Sequence, residues 1–447
     1  MDQQLPNQQQ PAQQVQNPNP QQQQAQQQQA QQQQPTNDQP KEGKGDGKTG
    51  EVKKLISIEK LLNSIITAAL DQRASDIHIE PEPKRVRVRL RIDGILRESW
   101  SIQKEYEQSL IFKIKIAGKL RTDEHFAPQD GRISFKLDEG KKVDTRVSIL
   151  PTTHGEKVVF RLLTQDGRSF ELKDLGLVGQ DFEMVQRAYQ KPYGTILTVG
   201  PTGSGKTTTL YAILKLLNSP EVNITTVEDP VEYNIVGVNH IQINTKADLT
   251  FASGLRSILR QDPDIVMVGE IRDGETARIA TNAAMTGHLV LSTLHTNDSV
   301  TTIPRLIDMG IEPFLVASTV NLVIAQRLAR KLCETCRQPY VVTEQDLTAI
   351  NRVRPDIGRY LKVGEQLFRE KGCANCTDGF QGRIGLYETL QITKDIRDAI
   401  TDNANADKIF EIARKEGLVL IVEDGINKLR AGVTSISEVN RVTALKV

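Results

Sequence analysis

Apolar residues recur at three- and four-residue spacing from residue 55 onward: Leu55, Ile56, Ile58, Leu61, Leu62, Ile65, Ile66, Ala69 and Leu70. That period predicts an amphipathic helix. After Ser75-Asp76 the period becomes two. Val86, Val88, Leu90 and Ile92 alternate with Arg85, Arg87, Arg89 and Arg91, which predicts a strand with one buried and one basic face. Asp93-Gly94 supplies a turn. A second helix is predicted over 109–120, with further strands over 132–137, 143–149 and 157–163. Together these make a small α/β domain over 53–165, followed by a linker over 166–175. Beyond 176 the pattern changes. Short, continuous apolar runs at 196–199, 224–227, 265–268 and 289–293 alternate with helical stretches. Such runs predict strands buried on both faces, in a parallel sheet covered by helices.

Residues 1–52 follow neither pattern. About half of the first forty are Gln, broken by Pro, Asn and Ala, and a charged Gly-rich stretch, Lys41-Glu42-Gly43-Lys44-Gly45-Asp46-Gly47-Lys48, follows. This composition cannot bury enough apolar surface to offset chain entropy, so a disordered tail is expected. The net charge of +1 gives no overall field for nucleic acid or acidic membrane. No apolar run reaches the roughly 18 residues needed to span a bilayer, and the N-terminus lacks the apolar core of a signal peptide. A soluble, cytoplasmic protein is expected, with no direct nucleic-acid binding.

The first chemistry lies between a predicted strand and a predicted helix. The run Thr195-Ile196-Leu197-Thr198-Val199 leads into Gly200-Pro201-Thr202-Gly203-Ser204-Gly205-Lys206-Thr207, and Thr208 continues into a helical pattern. This is a complete phosphate-binding loop in its proper context. The glycines let successive N–H groups point inward, and the helix N-terminus adds partial positive charge. Lys206 would neutralise the β- and γ-phosphates of ATP, and Thr207 would ligate Mg²⁺. With the alternating strands, it predicts a RecA-like phosphate-loop ATPase domain over 176–447.

Other candidates cluster around the remaining strand ends. Asp264-Ile265-Val266-Met267-Val268-Gly269-Glu270 delivers an acid from a buried strand. Glu270 is the expected general base or water-positioner, although a capping or salt-bridged acid ends a strand equally well. Glu228, Asp229 and Glu232 follow another strand; they suit Mg²⁺-nucleotide, or else form a solvated acidic loop. His288 and His295 flank the run at 289–294, and His295 falls at its carboxyl end, where a γ-phosphate would lie. All four cysteines fall in two pairs, Cys333-x-x-Cys336 and Cys373-x-x-Cys376. Thiolates at this spacing can hold one Zn²⁺ tetrahedrally, in an element over about 330–388. Disulfides and a redox role remain alternatives.

These blocks resemble the bacterial secretion ATPases of type II secretion and type IV pilus assembly. The resemblance rests on Ala74-Ser75-Asp76-Ile77-His78-Ile79-Glu80-Pro81, Arg91-Ile92-Asp93-Gly94, Pro128-Gln129-Asp130-Gly131-Arg132, the phosphate loop, the acidic block at Glu228–Glu232, Leu259-Arg260-Gln261-Asp262-Pro263-Asp264, Gly269-Glu270-Ile271-Arg272-Asp273, the histidine block and the cysteines. It implies a two-domain subunit of a homo-hexameric ring. In this family the small domain caps the nucleotide, and Arg146 and Arg161 match its phosphate-reaching arginines. It further implies a motor on the inner face of the cell membrane that acts on a platform protein, and through it on filament subunits. Two departures stand out: a Gln-rich tail replaces the N-terminal docking domain many assembly motors carry, and residues 416–425 match the family pattern only loosely. A retraction or DNA-uptake motor, a non-hydrolysing nucleotide-binding scaffold and a zinc-dependent nucleic-acid binder are the competing readings. The tetracysteine argues against retraction, and intact Lys206, Thr207 and Glu270 argue against a scaffold.

Overall fold

The computed structural model describes residues 57–137, 142–163 and 171–444. The Gln-rich tail and the first half of the expected linker, 166–170, lie outside the described residues.

The predicted first helix is Ile58–Asp71, with Leu62, Ile65, Ile66 and Ala69 buried. It is followed by β1 (Ala74–Pro81), β2 (Arg85–Ile92), β3 (Ile95–Gln103), a helix at Glu107–Ala117, β4 (Gln129–Lys136), β5 (Lys142–Thr152) and β6 (Gly155–Leu163). The six strands form one antiparallel sheet in the order β3-β2-β1-β6-β5-β4. Its apolar face presents Ile77, Ile79, Val88, Leu90, Ile149 and Phe160 to the two helices. The strict alternation in β2 puts every second residue into that core, as the sequence predicts. The other face is polar. Strand register lines up Arg132, Arg146, Arg161, Asp76 and Arg91 in one row across five strands.

The second sheet holds β7 (Gly194–Val199), β8 (Ile224–Glu228), β9 (Val238–Gln242), β10 (Ile265–Val268), β11 (Leu289–Leu294) and β12 (Val320–Leu332). A two-stranded excursion, β13 (Gln338–Val341) and β14 (Gln366–Arg369), precedes β15 (Phe380–Gln391), which returns to the main sheet. The order is β15-β12-β7-β11-β10-β8-β9. All neighbours are parallel except β12 and β15. Every residue of β7, β8, β10 and β11 is buried, because helices cover both faces. Leu197 and Val199 enter one core with the helices Phe251–Ile258 and Gly274–Met285, while Ile196 enters the other with Lys206–Leu217. The chain winds outward from β7 to β8, returns through β10 and β11, then crosses β7 to reach β12. Such a reversal point is where open sheets bind ligands, at the carboxyl ends of their strands. The mixed α/β class and the four expected core strands are present. The strands β9, β12 and β15 of this sheet are additions to the four expected ones.

Candidate nucleotide site and metal centre

The phosphate loop leaves β7 at the winding reversal and enters the helix at Lys206. Gly200 and Gly205 have φ of 142° and 90°, conformations that favour glycine. Both are also crowded. A Cβ on Gly200 would lie 2.5 Å from the carbonyl of Gln326, and one on Gly205 would lie 2.8 Å from Gln326 Nε2. Gln326 comes from β12 and is buried; its Oε1 also accepts the Thr209 hydroxyl at 2.9 Å. The loop is thus pressed against its neighbouring strand, and only glycine permits that approach. Lys206 is buried and donates to the carbonyls of Gly200 at 2.9 Å and Pro201 at 3.2 Å. Burial lowers its pKa, and the negative charge of Glu270 partly restores it. Ser204 Oγ is buried with no hydrogen-bond partner among the described residues. A glycine cradle, a buried cation and an unpaired hydroxyl fit a bound phosphate. Thr207 and Thr208 follow in the first helical turn.

Glu270 lies two residues past β10, and His295 directly follows β11, the neighbouring strand. His295 Nε2 is 3.1 Å from Glu270 Oε2, and Arg272 pairs with the other carboxylate oxygen. Burial alone would raise the pKa of Glu270. Hydrogen bonds from Arg272 and His295 outweigh it and hold the carboxyl below its ordinary range. Glu270 is therefore a fixed, ionised acceptor whose charge reaches Lys206. His288 sits at the opposite, amino end of β11, where its Nδ1 lies 3.0 Å from the Ala283 carbonyl. The structure thus pairs Glu270 with His295 at the carboxyl ends of β10 and β11, the same end of the sheet from which the phosphate loop leaves β7, and leaves His288 apart.

The acidic block divides. Glu228 is buried and turned inward: Oε1 takes Thr226 Oγ1 at 2.6 Å and His240 Nδ1 at 2.9 Å, while Oε2 accepts the Tyr211 hydroxyl. His240 Nε2 accepts the Ile235 N–H, so its Nδ1 carries the proton given to Glu228. Asp229 is exposed, and Glu232 is paired at 3.8 Å with Arg146. Arg146 Nη2 also donates to the Val231 carbonyl at 2.8 Å. Arg146 thus crosses from the six-stranded sheet to the acidic loop, and Arg132 makes a parallel contact to Gln242 at 2.7 Å. Arg161 stays in its own sheet, bonded to Asp76 at 3.1 Å.

Motif reading missed several residues. Gln326 and Arg327 brace the loop from β12, and Arg327 also holds the Asn297 carbonyl at 2.7 Å. The available signal is a continuous apolar run, Leu322-Val323-Ile324-Ala325, ending in Gln-Arg. Tyr211 and His240 carry no signal of their own, because only the tertiary packing brings them to Glu228.

Cys333 directly follows β12, and the second pair precedes β15. The four Sγ atoms all lie within 4.8 Å of one another. Individual separations are 3.9 Å for Cys333–Cys373, 3.7 Å for Cys336–Cys376 and 3.6 Å for Cys373–Cys376. A Zn–S length of about 2.3 Å places tetrahedral sulfurs about 3.8 Å apart, whereas a disulfide needs about 2.04 Å. The donor set fits a single Zn²⁺, and the four thiols are unpaired as disulfides.

Among the described residues, no helix is long and apolar enough to cross a membrane. Residues 51–441 match the family described as type II/IV secretion system protein. The type II secretion system protein E of Aeromonas hydrophila is 46% identical over 387 residues, covering 86% of this chain and 75% of that protein. The type IV pilus assembly ATPase PilB of Myxococcus xanthus is 44% identical over 389 residues, covering 87% and 68%. Among solved structures, the ATPase DotB of Legionella pneumophila matches with a TM-score of 0.62 at 21% identity, covering 86% of this chain and 95% of that one. The ADP-bound pilus retraction motor PilT matches at 0.57 and 24%, covering 85% and 96%; both likenesses concern the fold. On the match over residues 51–441 and on relatives 46% and 44% identical over most of its length, the chain belongs to the type II/IV secretion system protein family of ATPases.

Proposed function

We propose that this chain is the ATP-hydrolysing subunit of a hexameric motor that drives assembly of a type IV pilus or a type II secretion pseudopilus. The observation that carries the reading is Glu270, fixed by Arg272 and His295 past the carboxyl end of β10, at the same end of the sheet as the phosphate loop. A carboxylate in that place can orient a water for attack on the terminal phosphoryl group, while Lys206 offsets its charge. His295 acts by aligning Glu270. Bound Mg²⁺, held by Thr207, would offset charge on the β- and γ-phosphates. Asp229 and Glu232 would add negative charge for that cation, and Glu228 anchors their loop through Tyr211, Thr226 and His240. Arg146, with Arg161 next to it in the row, offers positive charge from the small domain when that domain closes on nucleotide.

On this reading residues 53–165 and 176–447 work as two domains, and hydrolysis alters their contact at Arg146. The motion passes to a platform protein in the inner membrane, which brings the motor to the membrane face and moves filament subunits indirectly. The near-neutral charge fits a protein partner rather than nucleic acid. The tetracysteine centre supports extension over retraction, following the family pattern. The test is steady-state ATP hydrolysis by wild type and Glu270→Gln over a range of protein concentrations. Specific activity that rises with concentration and depends on Glu270 supports an oligomer-assembled motor. Concentration-independent activity overturns the ring.

A further inference from the structure

The edge of the six-stranded sheet farthest from Arg146 carries a second attachment, and it ends on the tetracysteine element. β2 and β3 are joined by Asp93-Gly94, with φ of 48° and 88°. Two successive left-handed residues make the tight turn that suits a twisted hairpin. Asp378-Gly379 repeats this conformation at 51° and 83°, closed by reciprocal 3.0 Å backbone bonds between Thr377 and Phe380. The two turns meet. Asp93 Oδ2 accepts the N–H of Gly382 at 3.0 Å, and Arg97 of β3 pairs with Asp378. Each Asp-Gly turn therefore gives a carboxylate to the other element.

The cysteines shape the receiving surface. Asp378 lies two residues beyond Cys376, and the Gly379 carbonyl accepts the Cys333 N–H at 2.8 Å. The turn at 377–380 is thereby tied to both cysteine pairs. Its Asp378 side chain is 64% exposed. An exposed ion pair contributes little unless its partners are held in place beforehand. We infer that the tetracysteine element is the docking site for the β2–β3 turn, and that bound metal keeps this site in shape. This rests on reading the cysteines as a metal centre. The contact assigns a task to the Arg91-Ile92-Asp93-Gly94 motif, which the nucleotide site does not use. It also gives the small sheet two unlike attachments. Toward the other edge, Arg146 touches the acidic loop. The Asp93 edge touches the tetracysteine element.

Hydrogen exchange on the full chain, with zinc content measured in every sample, tests this. Two segments are read: the β2–β3 turn and the stretch containing Gly382. Asp93→Ala and Arg97→Ala should retain one zinc per chain and speed exchange in both segments at least tenfold. Removing zinc from the wild type with a chelator should do the same, while β1 and β7 stay protected. Unchanged exchange in zinc-loaded Asp93→Ala overturns the docking. Unchanged exchange after confirmed zinc loss overturns the metal's part. If chelation unfolds the sheet broadly, the two zinc-loaded variants still decide the docking. A preparation that holds no zinc from the start refutes the metal reading itself, separately from the contact. Protection that falls on dilution would place the turn on a neighbouring copy and overturn docking within one chain.

Discussion

The nucleotide site and the tetracysteine element grow from the same sheet but are held in different ways. The phosphate loop, Glu270 and His295 extend from β7, β10 and β11, three adjacent strands buried along their whole length. Their positions follow from the parallel register and from close backbone contact with Gln326. The cysteines lie on an excursion between β12 and β15, which has its own small core around Leu367, Ile426 and Leu429. That core is shared with the helix Ile421–Arg430, and bonds such as Arg354 to Asn440 and Arg430 to Glu365 add to it, while the thiol cluster closes the base of the excursion. The sheet gives the groups at its strand ends rigid placement, while at the base of the excursion four thiols within 4.8 Å of one another could hold a metal that would add definition there.

If that contrast holds, damage to the two regions should have different signatures. Lys206→Ala should cause the largest functional loss, about 10³-fold or more in turnover, with the melting temperature little changed. A collapse in stability would show that the loop supports the fold rather than phosphate. Glu270→Gln should lower turnover by about 10²- to 10⁴-fold and leave ATP binding intact. Because Arg272 and His295 hold Glu270 below its usual range, wild-type kcat/KM should show no acid limb from this group between about pH 5 and 8; a limb removed by Glu270→Gln would refute that electrostatic picture. Metal removal should act mainly on stability. Chelation should lower the unfolding temperature of the excursion more than that of β7 and β11, as exchange can resolve by segment.

Smaller effects sharpen the comparison. Arg146 reaches the acidic loop, while Arg161 is engaged with Asp76. Arg146→Ala should therefore cost about tenfold more turnover than Arg161→Ala. Equal losses would mean that the row acts as one unit. The smallest effect concerns Glu438, which ties β12 beside the cysteines through Arg330 and Arg441. Burial would raise its pKa, but hydrogen bonds from those arginines lower it from 4.5 to about 2. A depressed carboxylate pKa stabilises the fold above its unfolded value and loses that effect as pH falls toward its folded value. Glu438→Gln should thus destabilise the protein at pH 7 and matter progressively less between pH 4.5 and 2. A pH-independent difference would locate the effect in packing.

The same contrast governs what can be read from the chain. The phosphate loop is legible because a few adjacent residues contain the whole motif, and the cysteines because two C-x-x-C pairs account for all four in the chain. The buried strands are legible because helices cover both faces and leave continuous apolar runs. β12 escapes that reading, since its later residues, Arg327, Arg330 and Lys331, are charged where the strand leaves the core. The inward turn of Glu228 is not legible at all. It depends on Tyr211 in a helix and His240 on β9, which only the folded sheet brings together. Likewise the alternation in β2 predicts a basic face, but which arginine crosses to the acidic loop follows from the register of β4, β5 and β6.

The most direct measurement is ATP turnover by wild type and Glu270→Gln, with ATP binding followed in parallel. The account predicts turnover in the wild type, its loss in the variant by about 10²-fold or more, and equal ATP affinity in both. Undiminished turnover in Glu270→Gln, or loss of binding with loss of turnover, would contradict the assignment of Glu270 as the group that readies the attacking water.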